Sequence, residues 1–188
     1  MRPSSLLRVR LREMTSEAEK PVESHPRLVA ELSAQIPHSI ELAPRAPFLP
    51  IGSYNCFEFA LGLAGLMEVR LISEHFPSTF CDETFVQRLV DSVLIPAASL
   101  SAVNLVLYSD HQHIMHAGLV EAGRIVSKWG KGHLWLHGLL EVPAQYGDTT
   151  SFYEAPVSSE ILTKFIEFAR EREGRELVDT ILEVEIEP

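Results

Sequence analysis

The chain of 188 residues contains few cysteines, few basic residues and no long run of apolar residues. Its two cysteines, Cys56 and Cys81, could form one disulfide at most, which excludes a small secreted scaffold held together by several disulfides. Free thiols in a reducing compartment are the simpler interpretation. A chain of this length can bury a core of its own, so it needs neither a disulfide nor a metal to fold.

The charge of the chain is strongly negative. Sixteen Lys and Arg residues against 26 Asp and Glu residues give a net charge of −10, which repels phosphate backbones and anionic lipids. We therefore expect no nucleic-acid partner and no membrane partner. The apolar segment 59–67 is too short to span a bilayer, and the segment 89–108 is interrupted by Asp91 and Pro96. The first residues lack the apolar core of a signal peptide, so we expect a soluble protein that is cytoplasmic or exported without a cleavable signal peptide.

The pattern of apolar residues divides the chain into two parts. Residues 1–25 mix Arg, Glu, Ser and Pro without a period, and we interpret them as a flexible N-terminal arm before a single domain at 26–188. A period near four predicts helices over 26–36, from Asn55 to about residue 67, over 82–94 and over 158–172. A period of two predicts strands over 102–108, 114–121, 124–129, 133–138 and, at the C-terminal edge, 180–187. Helices followed by an antiparallel meander indicate an α+β fold.

Cys56 follows a proline-rich segment, at 44–50, and opens one of the predicted helices. Asn55 suits the N-cap position, and Glu58 three residues later completes a capping-box pattern. The helix dipole at such a position can lower the pKa of a thiol, and the free N–H groups of the first turn could hold an oxyanion. Cys56 is then a candidate nucleophile. The alternatives are that Cys56 is a small buried apolar residue, or that Cys81 is the nucleophile.

His116 begins a predicted strand and is followed by the small residues Ala117 and Gly118. A cysteine nucleophile needs a base within reach of its sulfur, and a strand packed across the start of the helix could supply one. Gly118 would leave room for the close approach of the helix. The alternative is a structural histidine in the core.

The segments YNCFEFALG (54–62) and HAGLVEAGRIVSKWG (116–130) together resemble the NlpC-type branch of the papain-like cysteine peptidases and amidases. The block formed by 127–130, His137 and Tyr146–Gly147 is similar to a small bacterial subgroup of this superfamily. The resemblance covers roughly residues 51–153. It implies a papain-like fold in which the helix that carries the cysteine packs on an antiparallel sheet that carries the histidine.

The same resemblance implies an activity. It is cleavage of an amide bond through a thioester intermediate, in a peptide or protein substrate, with peptidoglycan stem peptides as the best-known substrate class. A bacterial toxin or effector with a cognate inhibitor or partner protein fits a chain without a cleavable signal. Two further interpretations stay open, namely a cytosolic cysteine hydrolase or deamidase that acts on a protein, and a catalytically inactive papain-like binding module.

The third catalytic residue departs from the pattern of the family. NlpC-type enzymes usually place a polar residue at the end of the next strand, and this register falls on Ser127 or Lys128. Neither residue accepts an imidazole N–H as well as a histidine nitrogen or a carboxylate. We therefore predict that His137, one strand later, orients His116. His133 on the same strand is a weaker candidate.

Several other residues could contribute to a site. The Tyr54 hydroxyl and Asn55 are candidates for contacts with the substrate or the oxyanion. The spacing HxHxxH at His111, His113 and His116 is an alternative zinc motif, but its first two members lie in a predicted turn and no second ligand pair follows. We expect no metal and no other cofactor. Trp129 and Trp135 alternate with apolar residues and are expected in the core.

Overall fold

The computed structural model describes residues 3–16, 20–43, 49–111 and 113–186. Within these ranges there are seven α-helices, which are α1 (Pro3–Met14), α2 (His25–Leu32), α3 (Cys56–Ala60), α4 (Met67–His75), α5 (Glu83–Ser92), α6 (Ser158–Glu173) and α7 (Arg175–Ile186). The strands are β1 (Glu41–Leu42), β2 (Ile95–Ala97), β3 (Leu105–Asp110), β4 (His113–Glu121), β5 (Arg124–Lys128), β6 (Leu134–His137) and β7 (Thr149–Glu154). The predicted α+β class is confirmed. The proline-rich segment falls largely outside the described residues, at 44–48.

The strands form one open antiparallel sheet in the order β1-β6-β5-β4-β3-β7-β2. The consecutive strands β3 to β6 are neighbours in this sheet, which confirms the predicted meander. Because side chains alternate along a strand, the sheet has two buried faces. The first face packs on α3 to α7, and the second face packs on α1 and α2 and contains the stacked rings of Trp129 and Trp135. None of the described helices is both long enough and apolar enough to cross a bilayer.

The N-terminal residues differ from the flexible arm expected over 1–25. Residues 3–14 form α1, whose Leu7 and Leu11 are buried in the second face of the sheet. Arg8 is buried beside them, where its Nε donates to the carbonyl of Val142 at 3.2 Å and its guanidinium also donates to the carbonyl of Gly147. The apolar stripe of α1 has only two fully buried leucines among several arginines. Such a short stripe gives no clear period in the sequence.

The helix predicted from Asn55 to about residue 67 is helical only over Cys56–Ala60, and the next helix, α4, begins at Met67. Helix α3 ends at Ala60, and the turns that follow contain Gly62 and Gly65, which have φ angles of +69° and +83°. Residues other than glycine rarely adopt these angles. The two glycines therefore interrupt the helix, although the apolar pattern of the sequence continues through this segment.

The edge strand predicted over 180–187 is wrong, because residues 180–186 belong to α7 and residue 187 lies outside the described residues. Val178 and Leu182 lie four residues apart and pack on the first face of the sheet. The run of alternating apolar and acidic residues fits both a period of two and one face of a helix. The chain adopts the helix, which packs both Val178 and Leu182 against the core.

The contacts of α1 predict a specific loss of stability. Replacing Arg8 by Ala removes two charge-assisted hydrogen bonds and leaves two buried carbonyls without their donor, so Arg8→Ala should lower the free energy of unfolding by about 3 kcal/mol. Urea unfolding measures this change. The matched control is Arg10→Ala, since Arg10 pairs with Glu13 at 2.9 Å on the exposed side of the same helix.

The control should cost less than about 0.5 kcal/mol, because exposed ion pairs contribute little. Equal stabilities of Arg8→Ala and Arg10→Ala would show that α1 does not pack as described.

Candidate active site

Helix α3 is fixed at its start by the capping box that the sequence predicts. The Asn55 side-chain oxygen accepts from the N–H groups of Phe57 at 2.8 Å and Glu58 at 2.9 Å, and the Glu58 carboxylate accepts from the Asn55 N–H at 2.7 Å. The Asn55 amide also donates to the carbonyl of Cys81 at 2.8 Å. Asn55 therefore holds the backbone on both sides of Cys56. Asn55 thus has a structural role as the N-cap of α3. Its predicted contact with the substrate or the oxyanion stays a prediction.

Cys56 is partly exposed and lies on the wall of an open cleft with a volume of about 470 Å³. Two turns with glycines at positive φ, Gly52 and Gly130, flank the cleft. The remaining lining residues are Ser53, Tyr54, Asn55, Met115, Lys131 and Tyr146. The candidate nucleophile thus has space beside it for a chain of another molecule.

The pKa of Cys56 differs from the prediction made from the helix dipole. Burial of the sulfur raises the pKa of Cys56 to about 11, although the backbone N–H groups of Ala117 and Cys56 offset part of this increase. Helix α3 has only five residues, so its dipole is too weak to outweigh desolvation. At pH 7 only about one molecule in 10,000 carries a thiolate at such a pKa, and the thiol is protonated.

Strand β4 places Ala117 and His116 on opposite faces of the sheet. Ala117 belongs to the first face, where its N–H group faces the sulfur of Cys56. His116 points to the second face, where it is completely buried and stacks on Tyr146. Both ring nitrogens of His116 lack a hydrogen-bond partner. Burial lowers the pKa of His116 well below 6.5, and the nearby His137 lowers it further, so the ring is neutral.

Tyr146 connects the cleft to His116. Its ring is 3.9 Å from the His116 ring, centroid to centroid, with an interplanar angle of 8°, and Tyr146 is also part of the cleft wall. No hydrogen bond joins His116 to Cys56 among the described residues. Tyr146 thus lies between the cleft and the His116 imidazole, whereas Cys56 stays partly exposed in the same cleft. The sequence indicates Tyr146 only as part of a motif, because stacking between residues 30 positions apart leaves no local signal.

Gly118 has a different role from the one expected. A side chain there would collide with Ile125, and its Cβ would lie 3.1 Å from the Cβ of Ser127. The close approach that Gly118 permits is therefore that of β5 and not that of the nucleophile helix.

His137 lies on the second face together with Ser127. Its Nδ1 lies 2.8 Å from the carbonyl oxygen of Gly138, which can only accept, so Nδ1 carries the proton and Nε2 accepts from the Ser127 hydroxyl at 2.8 Å. Trp129 Nε1 donates to the same hydroxyl at 3.1 Å. Burial lowers the pKa of His137 to about 4. His137 is thus bonded to Ser127, in the register of the third residue, and makes no direct hydrogen bond to His116.

Lys128, the other residue in this register, points to the first face. It is completely buried, and its Nζ donates to the carbonyl of Gly132 at 2.6 Å and lies 4.7 Å from the centre of the Tyr54 ring. The face of an aromatic ring attracts a cation placed above it, and this cation–π interaction with Lys128 holds Tyr54 at the edge of the cleft. Burial raises the pKa of Tyr54 to about 12, which keeps its hydroxyl protonated and able to donate. The predicted role of Tyr54 toward an oxyanion stays a prediction.

The two alternative sites are not assembled. His111 is almost fully exposed, and His113 lies at the surface 3.0 Å from the Glu83 carboxylate, whereas His116 is buried. In the part of the chain that the structure describes, no three His, Cys, Asp or Glu residues are placed to hold a metal ion. Cys81 is completely buried in the first face and does not line the cleft beside Cys56, which argues against it as a nucleophile.

The buried histidines predict how stability depends on pH. Because the pKa of His137 is about 4 in the folded chain and near 6.5 when unfolded, the unfolded chain binds more protons below pH 6.5. The stabilisation is present above pH 6.5 and is lost as the pH falls toward 4. His137 should account for roughly 2 to 3 kcal/mol of the loss between pH 7 and pH 4.5.

Urea unfolding of the wild type and of His137→Gln at both pH values measures this share, with His111→Gln as the exposed control. The His137→Gln protein should lose correspondingly less stability, and His111→Gln should behave as the wild type. Identical losses in all three proteins would contradict the burial of a neutral His137.

The chain matches none of the family models, none of the curated proteins and none of the solved structures with which it was compared. Any function assigned to it therefore rests on its own residues.

Proposed function

We propose that the chain is a cysteine-dependent amide hydrolase of papain-like architecture, with Cys56 as nucleophile and His116 as general base. One observation carries the proposal. The thiol of Cys56 lines an open cleft whose wall also includes Tyr146, and Tyr146 covers a buried neutral imidazole with two unpaired nitrogens. A buried polar group without a partner is costly to the fold and therefore suggests a role in chemistry.

The chemistry follows from the protonation states. The thiol and the imidazole are both neutral at pH 7, so His116 takes the thiol proton as the sulfur of Cys56 attacks the carbonyl carbon of the amide. A C–S bond forms, the C–N bond breaks, and the imidazolium returns its proton to the leaving amine. Water then adds to the thioester, the C–S bond breaks, and a carboxylate and the free thiol result.

Groups around the sulfur support this reaction. The N–H groups of Ala117 and Cys56 stabilise negative charge on the sulfur, and donors this close to the sulfur could also hold a tetrahedral oxyanion formed next to it. The Tyr54 hydroxyl, which stays protonated, is a further donor at the cleft. His137 acts on His116 through its proximity alone, because no hydrogen bond from the described residues reaches either nitrogen of the His116 ring.

The papain-like architecture is supported by the order of the elements. A helix that begins at the nucleophile packs on an antiparallel sheet, and the candidate base lies on the strand against which that helix packs. The third position, one strand further on, is occupied by Ser127.

Peptides are the substrate class that fits the cleft. A second cavity of about 390 Å³ shares Ser53 and Tyr54 with the cleft and has an apolar wall that includes Leu49, Leu66 and Val69. An extended chain with its carbonyl at Cys56 could place one apolar side chain there. Together with the family resemblance, this favours a peptidase or amidase, with peptidoglycan peptides as the first substrate to test. The same residues and chemistry could instead act on a protein substrate in the cytosol.

A catalytically inactive binding module is the second candidate, and one observation favours it. The thiol has a pKa of about 11 and His116 is completely covered, so the pair is not in a reactive ionised state. Under this proposal the cleft binds a partner protein without cleaving it.

Expression in a bacterial host distinguishes the two. Wild type, Cys56→Ala and His111→Ala are each produced in the cytosol and directed to the periplasm, and growth and lysis are followed. The hydrolase proposal predicts lysis by the wild type in the periplasm, or growth arrest in the cytosol if the substrate is a protein there. Cys56→Ala should be harmless, because the sulfur forms the acyl intermediate.

His111→Ala is the matched control, since this exposed side chain lies outside the site, and it should act as the wild type. If the wild type is harmless in both compartments, or if Cys56→Ala is as harmful as the wild type, the hydrolase proposal is contradicted. Equal harm from both proteins would support the binding module.

A further inference from the structure

We propose that Tyr146 is a positioning residue that holds the imidazole of His116 by ring stacking, and that Arg8 acts through it by fixing the segment that carries Tyr146. The proposal rests on the proposed role of His116 as general base. It gives the N-terminal helix a part in the active site, although α1 does not line the cleft.

His116 is held by aromatic rings and not by hydrogen bonds. Both of its nitrogens lack a partner, while its ring lies between Tyr146, at 3.9 Å and nearly parallel, and Tyr108, at 5.6 Å and tilted by 45°. A side-chain acceptor normally fixes the ring of a catalytic histidine. Here the contact that restricts rotation of the ring plane is the stack with Tyr146, which leaves the nitrogens free to take and return a proton.

The segment that carries Tyr146 is anchored at both ends. Tyr146 closes a 3-10 turn, Ala144–Tyr146, and Arg8 donates to the carbonyl of Val142 before this turn and to that of Gly147 after it. Gly147 has a φ of +86° and packs so closely on the backbone of Ser109 that no side chain could be accommodated. One buried guanidinium and one glycine therefore determine where the Tyr146 ring lies.

Tyr146 also separates His116 from solvent. Tyr146 forms part of the cleft wall and also stacks on the His116 ring. Its position sets both the orientation of the base and the access of water to it. A shift of the turn by about 1 Å would misalign the imidazole and the sulfur, and misalignments of this size can reduce rates by up to about 100-fold.

The test compares Tyr146→Leu with Tyr146→Phe, which keeps the stacking ring. Two quantities are measured on the full chain. The first is the rate of Cys56 alkylation by iodoacetamide at pH 7, in which a C–S bond forms, iodide leaves and the thiol proton passes to the base. The second is the NMR shift of the His116 ring protons, which a stacked ring moves upfield.

Tyr146→Leu should slow alkylation about tenfold or more and abolish the upfield shift. Tyr146→Phe should retain the upfield shift and alkylate within about twofold of the wild type. Phe152→Leu is the matched control, because Phe152 packs on the same buried face away from His116 and its loss tests destabilisation alone. It should alter neither quantity.

Arg8→Ala tests the second half of the proposal. It should slow alkylation in the wild type but add nothing in the Tyr146→Leu background, since a residue that acts only through Tyr146 is non-additive with it. A Tyr146→Leu protein that alkylates as fast as the wild type overturns the positioning role while leaving the hydrolase proposal intact. If Arg8→Ala slows alkylation in the Tyr146→Leu protein as much as in the wild type, Arg8 does not act through Tyr146. If wild-type Cys56 does not react below pH 9, both proposals are overturned.

Discussion

Burial of two titratable groups is the constraint on which the site depends. Desolvation keeps both the Cys56 thiol and the His116 imidazole neutral, so the pair has no net charge at pH 7 and the thiol proton is the one that it can transfer. An ion pair at this position would need solvent or strong hydrogen bonds to persist. The structure instead supplies backbone N–H groups at the sulfur and aromatic rings around the imidazole. In the proposed reaction the proton would therefore move during the attack and not before it.

The two faces of the sheet contribute different residues to the candidate site. The first face carries α3, which begins at the candidate nucleophile, and Lys128 there holds Tyr54 at the cleft. The second face carries His116, His137 and the tryptophans, and it is closed by α1 and α2. Strand β4 contributes to both, because the Ala117 side chain packs on the first face and the His116 ring packs on the second, while the backbone N–H of Ala117 donates to the Cys56 sulfur. A one-residue change in the register of β4 would exchange the two roles.

Local features of the site could be predicted from the sequence, and contacts between distant segments could not. The cap at Asn55 and the meander from β3 to β6 depend on residues a few positions apart, so their patterns are visible in the chain. The C-terminal run fits two periods, and only the packing of Val178 shows which one holds. The role of Arg8 depends on carbonyls more than 130 residues away. The pKa of Cys56 differs from the helix-dipole expectation for the same reason, since desolvation depends on which residues cover the sulfur.

The most direct test of a coupled thiol and imidazole is the pH dependence of Cys56 alkylation in the wild type and in His116→Gln. If the imidazole accepts the thiol proton, the wild type should react at least about tenfold faster than His116→Gln at pH 7, as general base catalysis would give. The two rates should converge near pH 11, where the thiol ionises without help. Equal rates for the two proteins across the whole range would contradict the account.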